Sequence, residues 1–265
     1  MKDIFDLSNR TVLITGGAGL MGRSHTEAII ERGGRVIIGD IDYDAAFQVS
    51  RELNCKYNLE AQRQIVPVYL DVLDKNIIHG VAEKFPNINV LINNASKNPT
   101  VEDGSCLTGH FETMGVEDWR EGIETALTGT FLCSQVFCNK FAKDGFGIVV
   151  NISSDLGVLA PDQRIYGKDR KPITYSAAKF GIVGMTKYLA TYFADKNIRV
   201  NCLSPGGIYN NRLSSEFLKN LTNLIPMGRM AEKDEYKGII AFLCSEGSSY
   251  MTGENLVING GRAAW

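Results

Sequence analysis

The sequence lacks the features that mark several protein classes. Its three histidines are scattered and its six cysteines form no Cys-x-x-Cys pair, so no zinc site or other metal site can be read from it. No apolar run approaches the length of a membrane-spanning helix, and the N-terminal segment MKDIFDLSNR is too polar for a signal peptide. The formal net charge of -2 provides no basic field, which disfavours nucleic acid and anionic membranes as partners. We therefore expect a cytoplasmic protein, with Cys133 and Cys138 as small core residues.

Glycine, by contrast, is abundant, and it clusters where short apolar runs end. Runs rich in Val and Ile alternate with helix-length segments such as 21–32 and 119–143. Runs that are apolar on both faces and separated by helices are typical of a parallel sheet covered on both sides. We therefore predict a doubly wound, Rossmann-like α/β fold of about seven strands with helices on both faces, in one domain over residues 1–265. The predicted strands are 11–14, 35–38, 65–70, 89–92, 147–151, 198–203 and 255–258.

A glycine-rich segment, Thr15-Gly16-Gly17-Ala18-Gly19-Leu20-Met21-Gly22, follows the first predicted strand and opens a helix. Glycines let the backbone approach a pyrophosphate, whose charge meets the free N–H groups of the helix start. Alone, such a cluster also suits a plain strand–helix turn. Asp40, at the end of the second strand, favours a dinucleotide because its carboxylate can accept hydrogen bonds from the adenosine ribose. The carboxylate would repel a 2′-phosphate, so NAD is predicted over NADP, and Arg23 is assigned to a solvated helix face.

A second set of residues indicates proton transfer. Tyr175 and Lys179 lie one turn apart on one face of a predicted helix. A phenol pKa near ~10 is too high for a base at neutral pH, and a neighbouring ammonium favours the phenolate. The spacing alone is common and also suits a lysine that lies over a half-buried tyrosine. Ser154 follows the fifth strand, at the ligand-binding edge, and therefore favours a set of residues that transfers a proton.

With these motifs the sequence resembles the short-chain dehydrogenase/reductase family, from about residue 8 to the C-terminus. The resemblance implies a nicotinamide cofactor, with Ser154, Tyr175 and Lys179 as catalytic residues and Ser153 behind them. It also implies that Asp71 contacts the adenine and that the loop after Pro205 lies beside the nicotinamide. The implied cofactor-binding residues are Gly16, Gly19, Leu20, Met21, Gly22, Asp40, Asp71, Val72, Asn93, Ala95, Tyr175, Lys179, Pro205, Gly206 and Ile208.

The sequence departs from the family pattern at three positions. Leu20 replaces the usual middle glycine, a spacing more like that of the larger, sugar-nucleotide-acting branch. Ala126 occupies the position of an asparagine that bends a helix and holds a water relaying protons to the lysine. An alanine side chain cannot hold that water, and Thr125 or Thr128 are the candidate replacements. Asn259 replaces the aspartate of the family's C-terminal motif.

The substrate side is marked by unusually polar loops. Ser154 and Tyr175 are 21 residues apart, more than is usual for the family, and segment 159–172 between them is expected over the mouth of the site. Segment 96–115 is expected at the same edge, and 210–224 as a flap. The loops favour a sugar-like or anionic small molecule, although a merely solvated loop remains an alternative. The residues able to bind a phosphate or carboxylate are Arg164, Lys168, Arg170 and Lys171.

Three functions remain open at this stage. The first is an NAD-dependent oxidoreductase of a polar, sugar-derived alcohol or ketone, which loosely resembles the flagellin-modification oxidoreductases of nonulosonic-acid sugar pathways. The second is a sugar epimerase or dehydratase that oxidises its substrate transiently, although 265 residues leave little room for it. The third is a dinucleotide-binding regulatory protein with reduced catalysis, which only Ala126 favours. The resemblance further implies a homotetramer or dimer, paired through helices near 119–143 and 174–194 and through the C-terminal region.

Overall fold

A parallel sheet forms the centre of the computed structural model, which describes residues 3–59, 64–97, 110–211 and 213–265. Seven strands follow the order β3-β2-β1-β4-β5-β6-β7, and every neighbouring pair is parallel. The predicted Rossmann-like α/β fold is therefore confirmed. The strands are β1 (Thr11–Thr15), β2 (Arg35–Asp40), β3 (Val66–Tyr69), β4 (Val90–Asn93), β5 (Gly147–Ile152), β6 (Ile198–Pro205) and β7 (Asn255–Ile258).

Helices cover both faces of this sheet because successive side chains of a strand point to opposite sides. Val12 and Ile14 of β1 belong to one apolar cluster, whereas Leu13 belongs to the other. The first cluster is completed by α1 (Leu20–Ile30), α2 (Tyr43–Lys56) and α8 (Lys237–Cys244). The second is completed by α3 (Lys75–Lys84), α5 (Gly129–Asp144) and α6 (Ile173–Tyr192). None of the helices in the described ranges is long and apolar enough to cross a membrane.

The buried cysteines behave as the sequence predicts. Cys133 and Cys138 lie on α5, fully buried in the second cluster. Burial raises the pKa of both thiols to about 12, so neither forms a thiolate near neutral pH. Both are core residues.

The predicted helix over 119–143 is interrupted in the structure. Helix α4 (Val116–Ile123) ends early, a π-helical stretch covers Glu124–Thr128, and α5 begins at Gly129. A Cβ at Gly129 would lie 2.6 Å from the Cγ2 of Val72, so the helix passes too close to the loop after β3 for any larger residue. Such widened turns occur mostly as single insertions in α-helices, often at functional sites.

The order of the strands places a cleft at one edge of the sheet. After β1 the chain adds β2 and β3 on one side and then returns to add β4 on the other side of β1. Helices on either side of this reversal diverge, which opens a crevice beyond the carboxyl ends of the strands. Thr15, Asp40 and Ile152 end their strands there. This edge carries nearly all the residues that the sequence singles out.

Candidate active site

A cleft of about 690 Å³ lies at the carboxyl ends of the strands, within the range of roughly 300–1,000 Å³ usual for ligand pockets. We call its side beyond β2 and β3 the acidic end, because Asp40 and Asp71 line it. We call its side beyond β5 and β6 the basic end, because Lys171, Lys179 and Arg262 line it. The glycine loop after β1 lies between the two.

The glycine loop forms a cradle that only glycines permit. Gly16 has φ of +61°, and a Cβ there would lie 2.8 Å from the Cα of Ala95. A Cβ at Gly22 would lie 2.5 Å from the Gly16 carbonyl oxygen, so Gly22 packs the loop against α1 and is not part of the cleft wall. No described side chain caps the start of α1, which leaves its N–H groups available to an anion. The loop therefore fits the diphosphate of a dinucleotide.

Asp40 connects this loop to the acidic end. Its Oδ2 accepts a hydrogen bond from the Ala18 N–H at 3.0 Å, and its Oδ1 accepts one from the Asp42 N–H at 3.1 Å. Ionised carboxylate oxygens have further acceptor sites, so Asp40 can still bind hydroxyl groups in the cleft. Arg23 is paired with Glu52 at 2.6 Å on the helix surface, as the sequence predicts.

Besides Gly22, a second predicted cofactor contact, Asn93, does not line the cleft. Asn93 is buried, and its Nδ2 donates to the Ser134 Oγ at 3.0 Å and to the Asn151 Oδ1 at 2.9 Å. Asn94 lines the cleft instead, with its Nδ2 donating to the carbonyl oxygens of Thr15 and Gly16. The remaining predicted contacts line the cleft, namely Gly16, Gly19, Leu20, Met21, Asp40, Asp71, Val72, Ala95, Tyr175, Lys179, Pro205, Gly206 and Ile208.

Ser154, Tyr175 and Lys179 meet at the basic end. The Ser154 hydroxyl is near enough to the Tyr175 phenol to lower its pKa, and the Lys179 Nζ lies 5.6 Å from the centre of the Tyr175 ring. The ammonium donates to the carbonyl oxygen of Ile152 at 3.1 Å. Ser153 lies behind this group, with its Oγ donating to the Lys179 carbonyl oxygen at 2.8 Å. The end of β5 thus holds both the serine and the helix that carries the other two residues.

Burial has the largest effect on the pKa values of Tyr175 and Lys179. It raises the pKa of Tyr175, against the opposing effect of the hydrogen bond to Ser154, and Asp155 raises it further. Burial also lowers the pKa of Lys179 to about 8, and the neighbouring charge of Lys171 contributes in the same direction. Desolvation is therefore the largest influence on the pKa of the Tyr175 phenol, and the lowering expected from a neighbouring ammonium stays a prediction.

Comparison with known proteins agrees with this geometry. A family model described as Enoyl-(Acyl carrier protein) reductase matches residues 17–263. The chain is 34% identical to trans-4-hydroxycyclohexanecarboxylate dehydrogenase of Sinomonas cyclohexanicum, over 97% of this chain and 94% of that protein. The chain belongs to the short-chain dehydrogenase/reductase family. As a short-chain dehydrogenase/reductase it is an oxidoreductase of alcohols and ketones that binds a nicotinamide cofactor.

Two further comparisons support the family. The chain is 33% identical to a 3-oxoacyl-(acyl-carrier-protein) reductase of Aquifex aeolicus, over 96% of this chain and 98% of that protein. A crystal structure of a short-chain dehydrogenase from Leptospira borgpetersenii with bound NAD+ superposes with a TM-score of 0.83, at 32% identity, over 99% of this chain and 96% of that one. These matches span nearly the whole of each protein.

In this short-chain dehydrogenase/reductase the position of the missing asparagine lies in the widened helix over Glu124–Thr128. Ala126 lies in the π-helical stretch, buried in an apolar cluster with Ala178, Ile182 and Cys202, where its side chain holds no water. Its carbonyl oxygen accepts a hydrogen bond from the Thr130 Oγ1 at 2.6 Å. Of the two candidate replacements, Thr125 lines the cleft. Thr125, one residue before Ala126, is therefore the hydroxyl-bearing residue that this stretch contributes to the cleft lining.

The long loop between the catalytic serine and tyrosine is less open than its sequence suggests. Arg164 is 88% exposed and pairs with Asp162 at 2.6 Å, and Arg170 donates to the carbonyl oxygens of Gly167 and Asp169. Lys168 is exposed. Of the four predicted anion-binding residues, Lys171 lines the cleft. Most of the other predicted mouth segment, residues 98–109, lies outside the described residues.

Apolar contacts join this loop to the predicted flap. Ile165 packs in one cluster with Leu221 of helix α7 (Ser215–Thr222), and with Ile225 and Met230. The Tyr166 and Phe217 rings are 5.6 Å apart. Although its sequence is polar, the loop thus contributes to a small apolar cluster, part of which lines the cleft.

The sequence analysis missed a buried ion pair at the basic end. The Arg262 Nη1 lies 3.1 Å from the Asp155 Oδ2, and the two side chains are only 9% and 4% exposed. The Asp155 Oδ1 accepts a hydrogen bond from the Ser154 Oγ at 3.2 Å. The available signal was an aspartate directly after Ser154, in a segment otherwise apolar enough to be buried, because a buried carboxylate requires a counter-charge.

Proposed function

We propose that the protein is an NAD-dependent oxidoreductase that interconverts a polar, sugar-like alcohol and the corresponding ketone. The observation that carries the proposal is the meeting of Ser154, Tyr175 and Lys179 at one end of a cleft whose other end carries Asp40. A set placed to exchange a proton with a hydroxyl group and a carboxylate placed to bind a ribose form the two halves of such a site.

Asp40 is the basis for NAD in preference to NADP. Its carboxylate would accept hydrogen bonds from the adenosine ribose and would repel a 2′-phosphate. Arg23, the cation nearest the glycine loop in sequence, is engaged by Glu52 and so offers little attraction to that phosphate. The Leptospira relative, whose crystal structure contains bound NAD+, agrees with this choice.

In the proposed reaction the nicotinamide of the bound cofactor supplies the hydride chemistry. Ser154 would hold the substrate oxygen, since its own Oγ is fixed by the Leu156 N–H at 3.1 Å. Tyr175 would take the proton from an alcohol or return it to a ketone. Lys179, on the same helix face, would stabilise the phenolate once the tyrosine has given up its proton. Thr125 is the hydroxyl that would pass protons between this buried group and solvent.

The walls of the catalytic half suit a sugar-like molecule. Thr125 and Tyr166 offer hydroxyl groups, while Phe217 and Leu221 offer apolar surface. A polyol ring or chain has both kinds of surface. The relatives include a dehydrogenase of a cyclic hydroxy acid and a reductase of an acyl chain on a carrier protein, so similarity alone does not choose between substrates.

Exposed aromatic side chains support assembly into a homodimer or homotetramer. Four of them lie on α5 and α6, each between 48% and 64% exposed. Large apolar side chains left exposed on helices are common at protein–protein surfaces. The residues are Phe131, Phe180, Tyr188 and Tyr192.

The test is cofactor turnover with a panel of polyols, sugars, sugar phosphates, nucleotide sugars and hydroxy acids, followed by the absorbance of the reduced cofactor. Net reduction of NAD, well above that of NADP, is expected with one class of alcohol. Conversion of a sugar without net reduction would instead support an epimerase. Clear NAD binding with no turnover of any compound would contradict the proposal and favour a regulatory protein.

A further inference from the structure

Asp155 is a buried carboxylate at the basic end that the proposed reaction does not use. Its side chain is 4% exposed. Its Oδ1 accepts a hydrogen bond from the Ser154 Oγ at 3.2 Å, and its Oδ2 accepts one from the Arg262 Nη1 at 3.1 Å. An ionised carboxylate has no hydrogen to donate, and the guanidinium beside it favours the ionised form. The hydrogen of the Ser154 hydroxyl therefore points at Asp155.

This hydrogen bond uses the one hydrogen that Ser154 can donate. A serine hydroxyl has a single hydrogen and two lone pairs. One lone pair accepts the Leu156 N–H at 3.1 Å, which leaves the other for the cleft. In this arrangement Ser154 can accept a hydrogen bond from an alcohol, but it can donate neither to a ketone oxygen nor to a Tyr175 phenolate. Asp155 therefore competes for a hydrogen that the reduction of a ketone requires.

Arg262 weakens this competition. Hydrogen bonds between a guanidinium and a carboxylate are roughly twice as strong as neutral ones, and the Arg262 side chain is 9% exposed, so salt screens the pair little. Burial raises the pKa of the Asp155 carboxyl group, and the charge of Arg262 opposes this rise. A carboxylate whose charge is shared with a guanidinium is a weaker acceptor for a hydroxyl. With Arg262 in place, the Ser154 hydrogen can turn toward the cleft at a lower cost.

The backbone before Arg262 fixes the guanidinium in this position. Gly260 and Gly261 have φ of +66° and +88°, values that favour glycine. The Gly260 carbonyl oxygen accepts a hydrogen bond from the Met227 N–H at 3.1 Å, and a Cβ at Gly260 would lie 2.7 Å from the Cγ2 of Ile225. A turn packed against the segment after α7 therefore carries the arginine into the cleft wall.

The Tyr175 phenol responds to both neighbours. Burial raises the pKa of Tyr175, the Ser154 hydroxyl lowers it, and the charge of Asp155 raises it further. A Ser154 hydrogen that is held by Asp155 cannot stabilise the phenolate. The charge of Asp155 and its hold on the serine therefore act in the same direction, against ionisation of the tyrosine.

Other charged groups also surround the phenol. The Lys179 Nζ lies 5.6 Å from the centre of the Tyr175 ring and the Lys171 Nζ lies 4.0 Å from it. Lys97 lines the cleft as well and pairs with Glu121 at 2.8 Å. All of these groups remain in every variant of the test below, so differences between those variants come from the changed residues. The further titratable groups on the surrounding elements are Asp162, Tyr166 and Cys202.

We propose that Asp155 and Arg262 are positioning residues for Ser154: Asp155 holds the hydroxyl hydrogen away from the reacting oxygen, and Arg262 weakens that hold so that Ser154 can donate to the substrate and to Tyr175. The inference rests on the proposed function, because it takes Ser154 and Tyr175 as the residues that exchange the proton. Loss of Arg262 alone should leave the hydrogen with Asp155 and make the phenol harder to ionise. Loss of both charges should free the hydrogen, since a neutral amide oxygen is a weaker acceptor than a carboxylate.

The test is a pH titration of Tyr175 by NMR, on protein saturated with NAD and labelled with a carbon isotope at the Cζ of tyrosine. The Tyr175 signal is identified by its loss in Tyr175→Phe. At a given pH, Arg262→Gln should lower the ratio of phenolate to phenol about tenfold, and Arg262→Lys should keep it near that of the wild type. Asp155→Asn/Arg262→Gln should raise the ratio above that of the wild type. This double variant leaves no unpaired buried charge, so it remains informative if Arg262→Gln does not fold.

The matched control is Glu117→Gln/Arg120→Gln, which removes an exposed ion pair on α4 and should leave the ratio unchanged. The same ratio in the wild type and in Asp155→Asn/Arg262→Gln would overturn the proposal, and so would a Tyr175 signal that does not move with pH in any of these proteins. Because the titration requires no substrate, the two proposals can fail separately. An overturned titration beside turnover of an alcohol would leave the proposed function standing, whereas the expected titration without any turnover would count against the proposed function alone.

Discussion

The two ends of the cleft are built in different ways. The acidic end and its glycine loop come from consecutive strand ends, β1 to β3, and their geometry is set by backbone constraints at Gly16 and Gly22. The basic end is assembled from the end of β5, a long loop, α6 and the segment after β7. Local sequence determines the geometry of the acidic end, whereas tertiary contacts determine the geometry of the basic end. The residues of the acidic end could accordingly be assigned from consecutive segments, whereas the pairing of Arg262 with Asp155 at the basic end could not.

The substitution expected to separate the two ends most strongly is at Tyr175, in the basic end. Tyr175→Phe removes the group that exchanges the proton, so kcat should fall by about 10²–10⁴-fold, while the Kd for NAD, held mainly by the other end, changes little. Steady-state kinetics and calorimetry measure the two quantities. Tyr250→Phe, at a fully exposed position, is the control. A Tyr175→Phe variant with kcat near wild type would contradict the mechanism.

The next largest effect is the pH dependence of the free energy of unfolding that arises from Lys179. Burial lowers the pKa of Lys179 from its ordinary value of 10.5 to about 8, so the folded protein binds fewer protons than the unfolded chain between these values. The free energy of unfolding should therefore rise as the pH increases from about 8 to 10.5, by roughly 3 kcal/mol from this group.

The Lys179→Met variant should lack this pH-dependent contribution to the free energy of unfolding. The measurement is urea unfolding of wild type and variant at pH 7 and pH 10, with the exposed Lys187 of the same helix, as Lys187→Met, for control. The wild type should gain stability relative to the Lys179→Met variant on going to pH 10. A constant difference between the two proteins at both pH values would show that Lys179 does not titrate in this range.

A smaller effect is expected at the acidic end. Asp40→Asn removes the charge that opposes a 2′-phosphate but keeps an oxygen for the Ala18 N–H. The ratio of the Kd values for NADP and NAD should fall about tenfold, or about 1.4 kcal/mol, with kcat for NAD little changed. Asp42→Asn, which alters a carboxylate that caps α2 outside the cleft, is the control. If Asp40→Asn leaves the cofactor preference unchanged, Asp40 does not set it.

Sequence reasoning succeeded where a motif and its element coincide. Asp40 and the glycine loop were assigned because strand ends in a parallel sheet converge on one edge. The structure places Asn93 away from the cleft wall. Neighbouring residues at a strand end point to opposite sides, and the pattern Asn-Asn does not say which of the two faces the cleft. Lys171 could not be separated from Arg164 and Arg170 by composition, since only the packed loop orients them.

Arg262 lay beyond sequence reasoning for a further reason. Its partner Asp155 is 107 residues away in the chain, and nothing local links the two. The widened helix at Glu124–Thr128 was also missed, and it lies directly before Gly129, where the chain passes close to Val72. Both features depend on contacts between elements that are distant in sequence.

The position of Arg262 after the last strand gives the cleft an order of assembly during synthesis. Asp40, Asp71 and the glycine loop all lie within the first hundred residues, whereas Arg262 emerges from the ribosome some 190 residues after Asp71. At ~5–20 residues per second, that interval is about 10–40 s. Throughout it, the nascent chain has the residues that we propose to bind the adenosine but lacks the arginine that pairs with Asp155 at the opposite end.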